Sequence, residues 1–394
     1  MGSARSAGPR EYRLYEKGRA WIELNLEHLG HNVRCFQKLL PEGCALMPAV
    51  KANAYGHGAA PVAKELQRLG ITDYCVASAE EGIQLRLAGI SGQILVLGYT
   101  HPRDFDVLSK YRLTQTVLDA AYAEELRAYG KNLSVHVGID TGMHRLGEAW
   151  DHLSGIRKLW EINNLRITGV YSHLCTSDGE GEEDQAYMRL QETRFQQVVR
   201  FLCAEGKRGF STHLQGSYGI LNGTRLLNTY DYARAGIALY GVFSGSSARL
   251  ERMYGLKPVL SLKARITCIR TLEEGEGAGY GLSWHADARR RIAAAAIGYA
   301  DGFPRTLSNK GHALVRGRKV PVVGRVCMDQ LLLDVTDVPE AVPGEEAVFI
   351  GESEGLVLRA EEMAEEAGTI SNEILSGLGE RLVRVCRGTG PHTD

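Results

Sequence analysis

The sequence predicts an α/β fold, with an N-terminal (β/α)8 TIM-type barrel followed by a mostly β C-terminal domain. Three observations support this prediction. The length of 394 residues favours two domains. Strand and helix patterns alternate from about residue 44 to 242, and short strands dominate after about residue 250. Eight strands alternating with crossovers fit a closed parallel barrel, and an open doubly wound sheet is the alternative.

The predicted barrel strands are short apolar runs, many of them β-branched. They are Leu46–Val50, Tyr74–Ala77, Ile94–Leu97, Thr114–Val117, Ser134–Val137, Ile167–Tyr171, Ser211–Leu214 and Ala235–Tyr240. Helical periodicity fills most of the gaps between them. It is clearest from His57 to Gly70, where the apolar residues share one face and the glycine ends the helix. The longest helical segment is Glu183 to Gly206.

The second domain is predicted from short strands separated by turn residues. They are Leu260–Ile269, Arg291–Ile297, His312–Val315, Lys319–Val323, Gln330–Val335 and Ala347–Ile350, with helices at Ala360–Ala367 and Glu373–Leu378. We therefore place the barrel domain at 19–245 and the β domain at 246–388. An early strand within 19–25 can pair with either domain. Residues 1–18 are interpreted as a tag or disordered start, and 389–394 as a tail.

Composition excludes several classes of protein. The net charge of −1 gives no basic field for nucleic acid. No run is long enough to span a membrane, and no signal peptide is present. The eight cysteines are scattered, which indicates free thiols in a reducing compartment and predicts a cytoplasmic protein. Histidines and cysteines lack zinc-site spacing, so we expect no metal.

Polar residues follow several predicted strands, where barrel active sites assemble. Lys51 follows the first strand, Arg145 the fifth and Ser217 the seventh, while His173 ends the sixth. Arg234 is the exception, because it precedes the eighth predicted strand.

Lys51 lies among small apolar residues at the end of a buried strand. Burial there lowers a lysine pKa and makes the amine a nucleophile able to form a Schiff base. A lysine that reaches solvent or pairs with an acid is the alternative. Small residues at Ser217 and at Gly236-Ile237, together with Tyr55, could bind a phosphate, although each alone could be an ordinary loop position.

Seven segments resemble, in order, the motifs of the alanine racemase family, whose members are pyridoxal-phosphate enzymes of fold type III. The resemblance runs from about residue 19 to 387. The segments are Ala49–Gly58, Asp140–Gly147, Tyr171–His173, Arg234–Gly241, Gly279–Gly281, Gly298–Gly302 and Val326–Asp329.

The resemblance implies a role for each site residue. Lys51 holds the cofactor covalently and is one catalytic base, and Tyr280 is the opposite base, donated with Met328 by the partner in a homodimer. The implied cofactor-binding residues are Lys51, Tyr55, Arg145, His173, Ser217, Arg234, Gly236, Ile237 and Asn372. The implied substrate-binding residues are Arg145, Met328, Asp329 and Asn372. The implied access path consists of Tyr299, Arg305, Arg325 and Asp178.

These residue types suit racemisation, which removes a proton from one face of Cα and delivers one to the other. Two bases are needed, because one cannot easily reach both faces. A tyrosine pKa of about 10 must fall, and a neighbouring cation such as Arg145 would lower it. By resemblance Arg234 faces the pyridine nitrogen. A guanidinium keeps its own proton, so the cofactor becomes a weaker electron sink and side reactions are limited.

Two positions depart from the family pattern. Gly138 stands where many members have a lysine, often carbamylated, that orients the arginine matching Arg145. Asn372 stands where alanine racemases usually have tyrosine, which leaves space and a hydrogen-bonding group for a serine hydroxyl, unless it is neutral drift.

Together these departures resemble the racemase domain of VanT-type serine/alanine racemases of vancomycin-resistance operons. The resemblance implies interconversion of L- and D-serine and of L- and D-alanine, with D-serine supplied for vancomycin-resistant peptidoglycan precursors. It also implies that the chain is the cytoplasmic domain of a membrane-bound protein, although this sequence has no membrane segment. A plain alanine racemase for cell-wall synthesis is the alternative.

Three other functions compete. A decarboxylase of the same architecture needs a cysteine-and-acid motif near Met328, which the sequence lacks. A non-catalytic cofactor carrier of the single-barrel type lacks the β domain and Tyr280. A structural or interaction module leaves the polar residues at the strand ends unexplained.

Overall fold

The computed structural model describes residues 17–222 and 230–388, so most of the predicted tag and the whole predicted tail lie outside the described residues. The chain packs into two compact units. Among the described residues, the barrel unit consists of 25–222, 230–260, 359–377 and 386–388, and the β unit consists of 17–24, 261–358 and 378–385. These units are discontinuous in the sequence, so they do not test the contiguous domains predicted above, and the boundary between residues 245 and 246 remains a prediction.

Twenty strands are described, of which the first ten are β1 to β10 in chain order. They are β1 Ala20–Asn25, β2 Ala45–Leu46, β3 Tyr74–Val76, β4 Ile94–Val96, β5 Thr114–Val117, β6 Leu133–Asp140, β7 Glu148–Ala149, β8 Leu165–Tyr171, β9 Ser211–His213 and β10 Tyr232–Ala233. Strands β2 to β6 and β8 to β10 form the parallel sheet of the barrel unit, and β7 pairs with the end of β6.

The parallel sheet closes into a ring. Its order is β2-β10-β9-β8-β6-β5-β4-β3, and a bridge between Ala49 and Cys75 joins the chain after β2 to β3. Chain order and spatial order therefore agree around the barrel, as in a (β/α)8 fold. This confirms the predicted barrel over an open sheet.

Helices alternate with the barrel strands along much of the chain. They are α1 Leu26–Leu39, α2 Ala59–Arg68, α3 Ala79–Leu87, α4 Phe105–Lys110, α5 Ala120–Tyr129, α6 Leu153–Lys158, α7 Glu182–Ala204, α8 Ser217–Asn222 and α9 Ala248–Tyr254. Side-chain caps start several of them: Ser78 accepts a hydrogen bond from the N–H of Glu81, and Asp119 accepts one from Tyr122. Among the described residues, no helix has the length and apolar character needed to cross a bilayer.

The eighth barrel strand differs from the prediction. The strand is Tyr232–Ala233, and the predicted strand residues Ile237–Tyr240 form a 3-10 turn. All four residues of this turn are buried, and a short apolar run does not distinguish a buried strand from a buried helical turn. The correction places Arg234 directly after the strand, at the carboxyl end of the barrel, which removes the one exception among the candidate residues.

The β unit is built on antiparallel strands. Its strands are β11 Leu260–Leu272, β12 Gly277–Ala278, β13 Trp284–His285, β14 Arg290–Ala295, β15 His312–Val315, β16 Arg318–Val323, β17 Leu331–Asp334, β18 Glu346–Ser353, β19 Leu356–Leu358 and β20 Val383–Arg387. Pairings run in the order β11-β14-β17-β16-β15-β18 and return to β11, while β1 lies between β11 and β20. Buried and half-buried residues alternate along the first half of β11, as expected when one face covers a core.

Two late helices, α10 Ala360–Ala367 and α11 Ser371–Ser376, belong by their contacts to the barrel unit. Glu361 of α10 accepts a hydrogen bond from the N–H of Phe243 (2.8 Å). The N–H of Ser371 donates to the carbonyl of Ser244 (3.2 Å). These contacts hold the start of α11, and with it Asn372, against the segment that follows the last barrel strand.

Candidate active site

A cavity of about 350 Å³ lies where the barrel strands end. This volume falls within the range of small-molecule sites. The structure brings together in its lining all nine residues predicted to bind a cofactor: Lys51, Tyr55, Arg145, His173, Ser217, Arg234, Gly236, Ile237 and Asn372. They come from separate elements, but parallel strands deliver their carboxyl ends to the same end of the barrel.

Lys51 begins a left-handed turn. The four residues after it, Ala52 to Tyr55, have φ angles between 50° and 54°. This conformation costs roughly 1–2 kcal/mol for each residue that is not glycine. The turn is held by backbone hydrogen bonds, including those from Ala54 to Val50 (2.9 Å) and from Gly58 to Asn53 (2.8 Å). Strain of this kind is characteristic of functional sites, and here it directs the chain so that both Lys51 and Tyr55 line one cavity.

The surroundings of Lys51 favour a neutral amine. Burial lowers the pKa of Lys51, and the positive charge of Arg145 lowers it further. Glu81 and Cys75 act in the opposite direction but more weakly than burial. A neutral amine is the nucleophilic form of lysine, so the site is suited to covalent attachment of a carbonyl compound.

A cradle that could hold an anion lies in the same cavity, where Ser217 and Gly236 meet Tyr55. Ser217 Oγ accepts hydrogen bonds from the N–H groups of Gly236 (2.8 Å) and Ala238 (3.3 Å). A Cβ at Gly236 would lie 2.8 Å from Tyr55 Oη, so a larger residue there would displace the tyrosine hydroxyl. Burial raises the pKa of Tyr55 to about 12, and the phenol therefore stays protonated and can donate a hydrogen bond to an anion.

Arg234 is a buried cation. Its guanidinium donates to the carbonyls of Ser172 (2.7 Å) and Leu214 (3.1 Å), and to ring nitrogens of His213 (2.5 Å) and His173 (3.2 Å). Burial lowers the pKa of Arg234, whereas Cys75 and Tyr171 raise it. Neither of these two groups is a carboxylate. Arginine nevertheless stays protonated in proteins, so Arg234 offers a fixed positive charge to the cavity.

A chain of hydrogen bonds leads from Arg234 into the barrel. His213 Nδ1 must accept from Arg234, so its Nε2 carries the proton and donates to His136 Nδ1 (2.8 Å). His136 Nε2 then carries the second proton and lies 2.7 Å from the side-chain amide of Gln93, whose oxygen must face it. Each histidine is therefore a neutral ring with one defined tautomer, and the chain fixes the direction of the guanidinium.

These buried histidines predict a stability that falls in acid. Burial, followed by the charge of Arg234, lowers the pKa of both His136 and His173 to about 3, and the same causes lower the pKa of His213 well below its usual value. In the unfolded chain each histidine binds a proton near pH 6.5. The unfolded state therefore binds more protons between about pH 7 and 3, and the free energy of unfolding must decrease as pH falls through this window.

When the pH falls from 7 to 5.5, we expect His136 and His173 together to lower the free energy of unfolding by roughly 2 to 3 kcal/mol. His213 should lower it further. Urea denaturation of the holo-protein at both pH values measures the change. His285→Gln, at an exposed position, should leave the difference as in the wild type, whereas His136→Gln should reduce it. Equal stability at the two pH values would contradict this account.

The loop of residues 140–145 carries Arg145 to the cavity. Asp140 organises it from within, since its carboxylate accepts from the N–H groups of Gly142 (2.9 Å) and His144 (3.0 Å). Three residues of α7 hold it from outside. Tyr187 Oη donates to the carbonyl of Gly142 (2.7 Å), while Gln191 and Arg194 donate to the hydroxyl and carbonyl of Thr141 (3.2 and 2.9 Å).

The three residues of α7 lie on one helix face, because they are spaced i, i+4 and i+7. Gly142 has a φ of +135°, and a Cβ there would lie 2.5 Å from Tyr187 Oη. At Gly138 a Cβ would lie 3.3 Å from the carbonyl of Val117, so the strand end is closely packed where a longer side chain was expected. The backbone of the Arg145 loop is thus fixed by α7 and Asp140.

The remaining candidates lie elsewhere. Asp178 lines a second cavity of about 410 Å³ that shares Tyr218 and Ser244 with the first. The others belong to loops of the β unit: Tyr280, Tyr299, Arg305, Arg325, Met328 and Asp329.

These loops of the β unit pack together. A Cβ at Gly281 would lie 3.2 Å from Arg325 Nη1, and the N–H of Tyr299 donates to the carbonyl of Cys327 (3.0 Å). Asp329 accepts from Arg381 (2.7 Å). Tyr280 is 70% exposed and Met328 is 52% exposed. This exposed loop cluster presents large side chains to solvent, which is typical of a binding surface.

Sequence reasoning missed several residues of the site. Glu81 contacts the backbone next to Lys51, and Met143, Ser172 and Tyr218 line the cavity. A signal for Glu81 was available, because Ser78 and Glu81 have the S-x-x-E spacing of a helix capping box. The other three lie within two residues of a candidate residue but carry no distinctive pattern of their own.

The chain is similar to known proteins over nearly its whole length. Family models described as alanine racemase, N-terminal domain, and alanine racemase, C-terminal domain, match residues 24–244 and 259–386. An alanine racemase from Carboxydothermus hydrogenoformans is 40% identical over 93% of this chain and 98% of that protein. An amino-acid racemase from Enterococcus faecalis is 38% identical over 92% of this chain, which spans about half (51%) of that longer relative.

Solved structures agree with these matches. An alanine racemase from Bacillus anthracis with bound L-Ala-P has a TM-score of 0.87 at 32% identity, covering 97% of this chain and 98% of the other. The alanine racemase of Clostridium difficile 630 has a TM-score of 0.87 at 32% identity, covering 94% and 96%.

Proposed function

The chain belongs to the alanine racemase family, and we propose that it racemises serine as well as alanine, with Lys51 and Tyr280 as its two bases. The family is pyridoxal-phosphate-dependent and its members are amino-acid racemases. Membership of this family identifies the chain as a pyridoxal-phosphate-dependent racemase. The substrate range, the individual residue roles and the assembly are the proposal.

The cavity fits this cofactor. Pyridoxal phosphate, when bound, withdraws electrons from the substrate Cα and so makes its proton removable. Lys51 supplies the amine that would hold the aldehyde, and the low-pKa environment favours the reactive neutral form. Tyr55, Ser217, Gly236 and Ile237 would hold the phosphate, for which the glycine cradle leaves room.

Two arginines would orient the bound molecules. Arg234, fixed by four hydrogen bonds, would face the pyridine nitrogen without giving up its proton. His173, which accepts from Arg234, would extend the same network. Arg145 is exposed at the cavity and would bind the substrate carboxylate and the cofactor's phenolic oxygen.

The two bases would act on opposite faces of Cα. Lys51 Nζ would hold or give a proton on one face, and Tyr280 Oη on the other. Tyr280 lies at the tip of the β12–β13 hairpin in the exposed loop cluster. We propose that this cluster completes the site of a second copy of the chain, with Met328 and Asp329 next to the substrate and Tyr299, Arg305 and Arg325, with Asp178, along its access path. The large exposed side chains of the cluster support this homodimer.

Serine activity rests on one observation. Asn372 lines the cavity, and its side-chain oxygen is buried without a hydrogen-bond partner among the described residues. A buried acceptor without a partner costs free energy, and a substrate hydroxyl placed beside it would donate the missing hydrogen bond. An alanine methyl group would leave it unpaired.

Replacing Asn372 tests this role. In N372Y the added ring fills the space and removes the amide, so we expect kcat/KM for serine relative to alanine to fall about tenfold or more. N372A removes the acceptor without filling the cavity, which separates hydrogen bonding from volume. An equal loss for both substrates in both variants would favour a plain alanine racemase.

The wider role follows from the same proposal. D-serine made by this enzyme would serve vancomycin-resistant peptidoglycan precursors, as in VanT-type proteins. A relative named an amino-acid racemase, of which this chain spans about half, supports a substrate range that is not confined to alanine. Mass spectrometry of cell-wall precursors tests it in cells that express the chain together with a ligase that joins D-alanine to D-serine: termini ending in D-serine are expected, and termini ending only in D-alanine would contradict it.

A further inference from the structure

Glu81 makes an unusual pair of contacts beside Lys51. Its two carboxylate oxygens accept hydrogen bonds from the backbone N–H of Ala52 (2.6 Å) and of Ala77 (2.7 Å). Ala52 is the first residue of the left-handed turn, and Ala77 directly follows β3 and lines the cavity. One carboxylate thus joins the ends of two neighbouring barrel strands at the lysine.

This contact differs from an ordinary helix cap. Glu81 lies in the first turn of α3, and its N–H lies 3.5 Å from the hydroxyl of Ser78, as in a capping box. In that motif the glutamate would accept from the N–H of Ser78 itself. Here it accepts from Ala77, one residue earlier, and the second oxygen is left to reach Ala52.

From this geometry we infer that Glu81 is a positioning residue, which holds the strained turn at Ala52 and thereby fixes the direction of Lys51. The inference deepens the proposed function, because it assumes the role of Lys51 stated there. Glu81 need not touch substrate or cofactor. Its effect passes through the backbone N–H next to the lysine.

The charge of Glu81 gives the contact a second consequence. The ionisable groups that act on Lys51 are Arg145, Arg234, Cys75 and Glu81. The arginines and burial lower its pKa, and the carboxylate raises it. Loss of the carboxylate charge should therefore lower the pKa of Lys51 further, so that the pH dependence of any lysine-linked signal shifts to lower pH.

Glu81→Gln and Glu80→Gln form a matched pair for the test. Both substitutions remove one charge from the same turn of α3, but Glu80 is exposed. In the holoenzyme, hydrogen exchange of the backbone amides around residues 51–56 should be about tenfold faster in E81Q, since a charge-assisted hydrogen bond is lost. E80Q should exchange as the wild type does.

Two further readouts connect the turn to the lysine. The visible absorbance of the lysine-bound cofactor should titrate at lower pH in E81Q than in E80Q, and kcat should fall about tenfold or more with little change in KM. If E81Q does not fold, the same measurements are made on E81D. This variant keeps the charge, but its side chain is too short to reach both N–H groups.

The inference would be overturned if the exchange rates at residues 51–56 were the same in wild type, E80Q and E81Q. Where E81D replaces E81Q in the test, equal rates in wild type and E81D would overturn it. Failure of the proposed function has a different signature. In that case the wild-type protein would lack the lysine-bound absorbance or racemase activity, whatever the exchange rates show.

Discussion

Replacement of Lys51 by alanine is expected to lower racemase kcat by about 10⁴-fold or more, because in the proposed function this one side chain supplies both cofactor attachment and a base. The visible absorbance of lysine-bound cofactor should disappear in the same variant. No other lysine lines the cavity among the described residues. The barrel itself should persist, since the half-buried Lys51 side chain forms no ion pair in the described structure.

The matched control is Lys64→Ala, on the exposed face of α2, which should keep both the absorbance and the activity. Added methylamine offers a second check, because a small amine can enter the space left in K51A and supply part of the missing base function. Retention of full activity by K51A would show that the cavity is not the active site.

Replacement of Tyr280 by phenylalanine is expected to lower kcat by about 10² to 10⁴-fold, the usual contribution of a general acid or base. The absorbance of bound cofactor should remain, because Tyr280 lies in the β unit and Lys51 is intact. The exposed ring of Tyr280 contributes little to the core of its own unit, so stability should be nearly unchanged. Leu282→Ala, on the same hairpin tip, is a control for the surface alone.

Mixing subunits tests where Tyr280 acts. If each site takes Lys51 from one subunit and Tyr280 from the other, a K51A/Y280F heterodimer has one complete site. Random pairing of the two inactive variants should then restore about a quarter of the wild-type activity. No gain on mixing, together with proven heterodimers, would place Tyr280 in its own subunit's site.

Much of the fold was predictable from local patterns. Strands β3, β4 and β5 are continuous buried runs, and α2 shows a single apolar face, so these elements follow from periodicity alone. The eighth strand was not predictable, because Ile237–Tyr240 is buried throughout and its pattern suits a strand equally well. Correct placement of Arg234 therefore required the hydrogen bond from its N–H to the carbonyl of Gln215.

Those residues of the candidate site that lie within a sequence motif were predictable. Lys51, Tyr55, Ser217 and Arg234 were all found from sequence, and they line one cavity. The left-handed turn after Lys51 was not predictable, since alanine and asparagine rarely adopt consecutive positive φ angles. The hydrogen bonds from α7 to the Arg145 loop were also not predictable, because a contact to a backbone carbonyl does not require a particular residue type at that position.

The most direct test of the central claim is chiral analysis of L-alanine and of L-serine, incubated separately with the holo-protein in ²H₂O. The account predicts D-alanine and D-serine at comparable rates, each carrying deuterium at Cα, because both bases exchange protons with solvent. Bound cofactor at Lys51 with no D-enantiomer from either substrate would contradict it, and D-alanine alone would contradict the role proposed for Asn372.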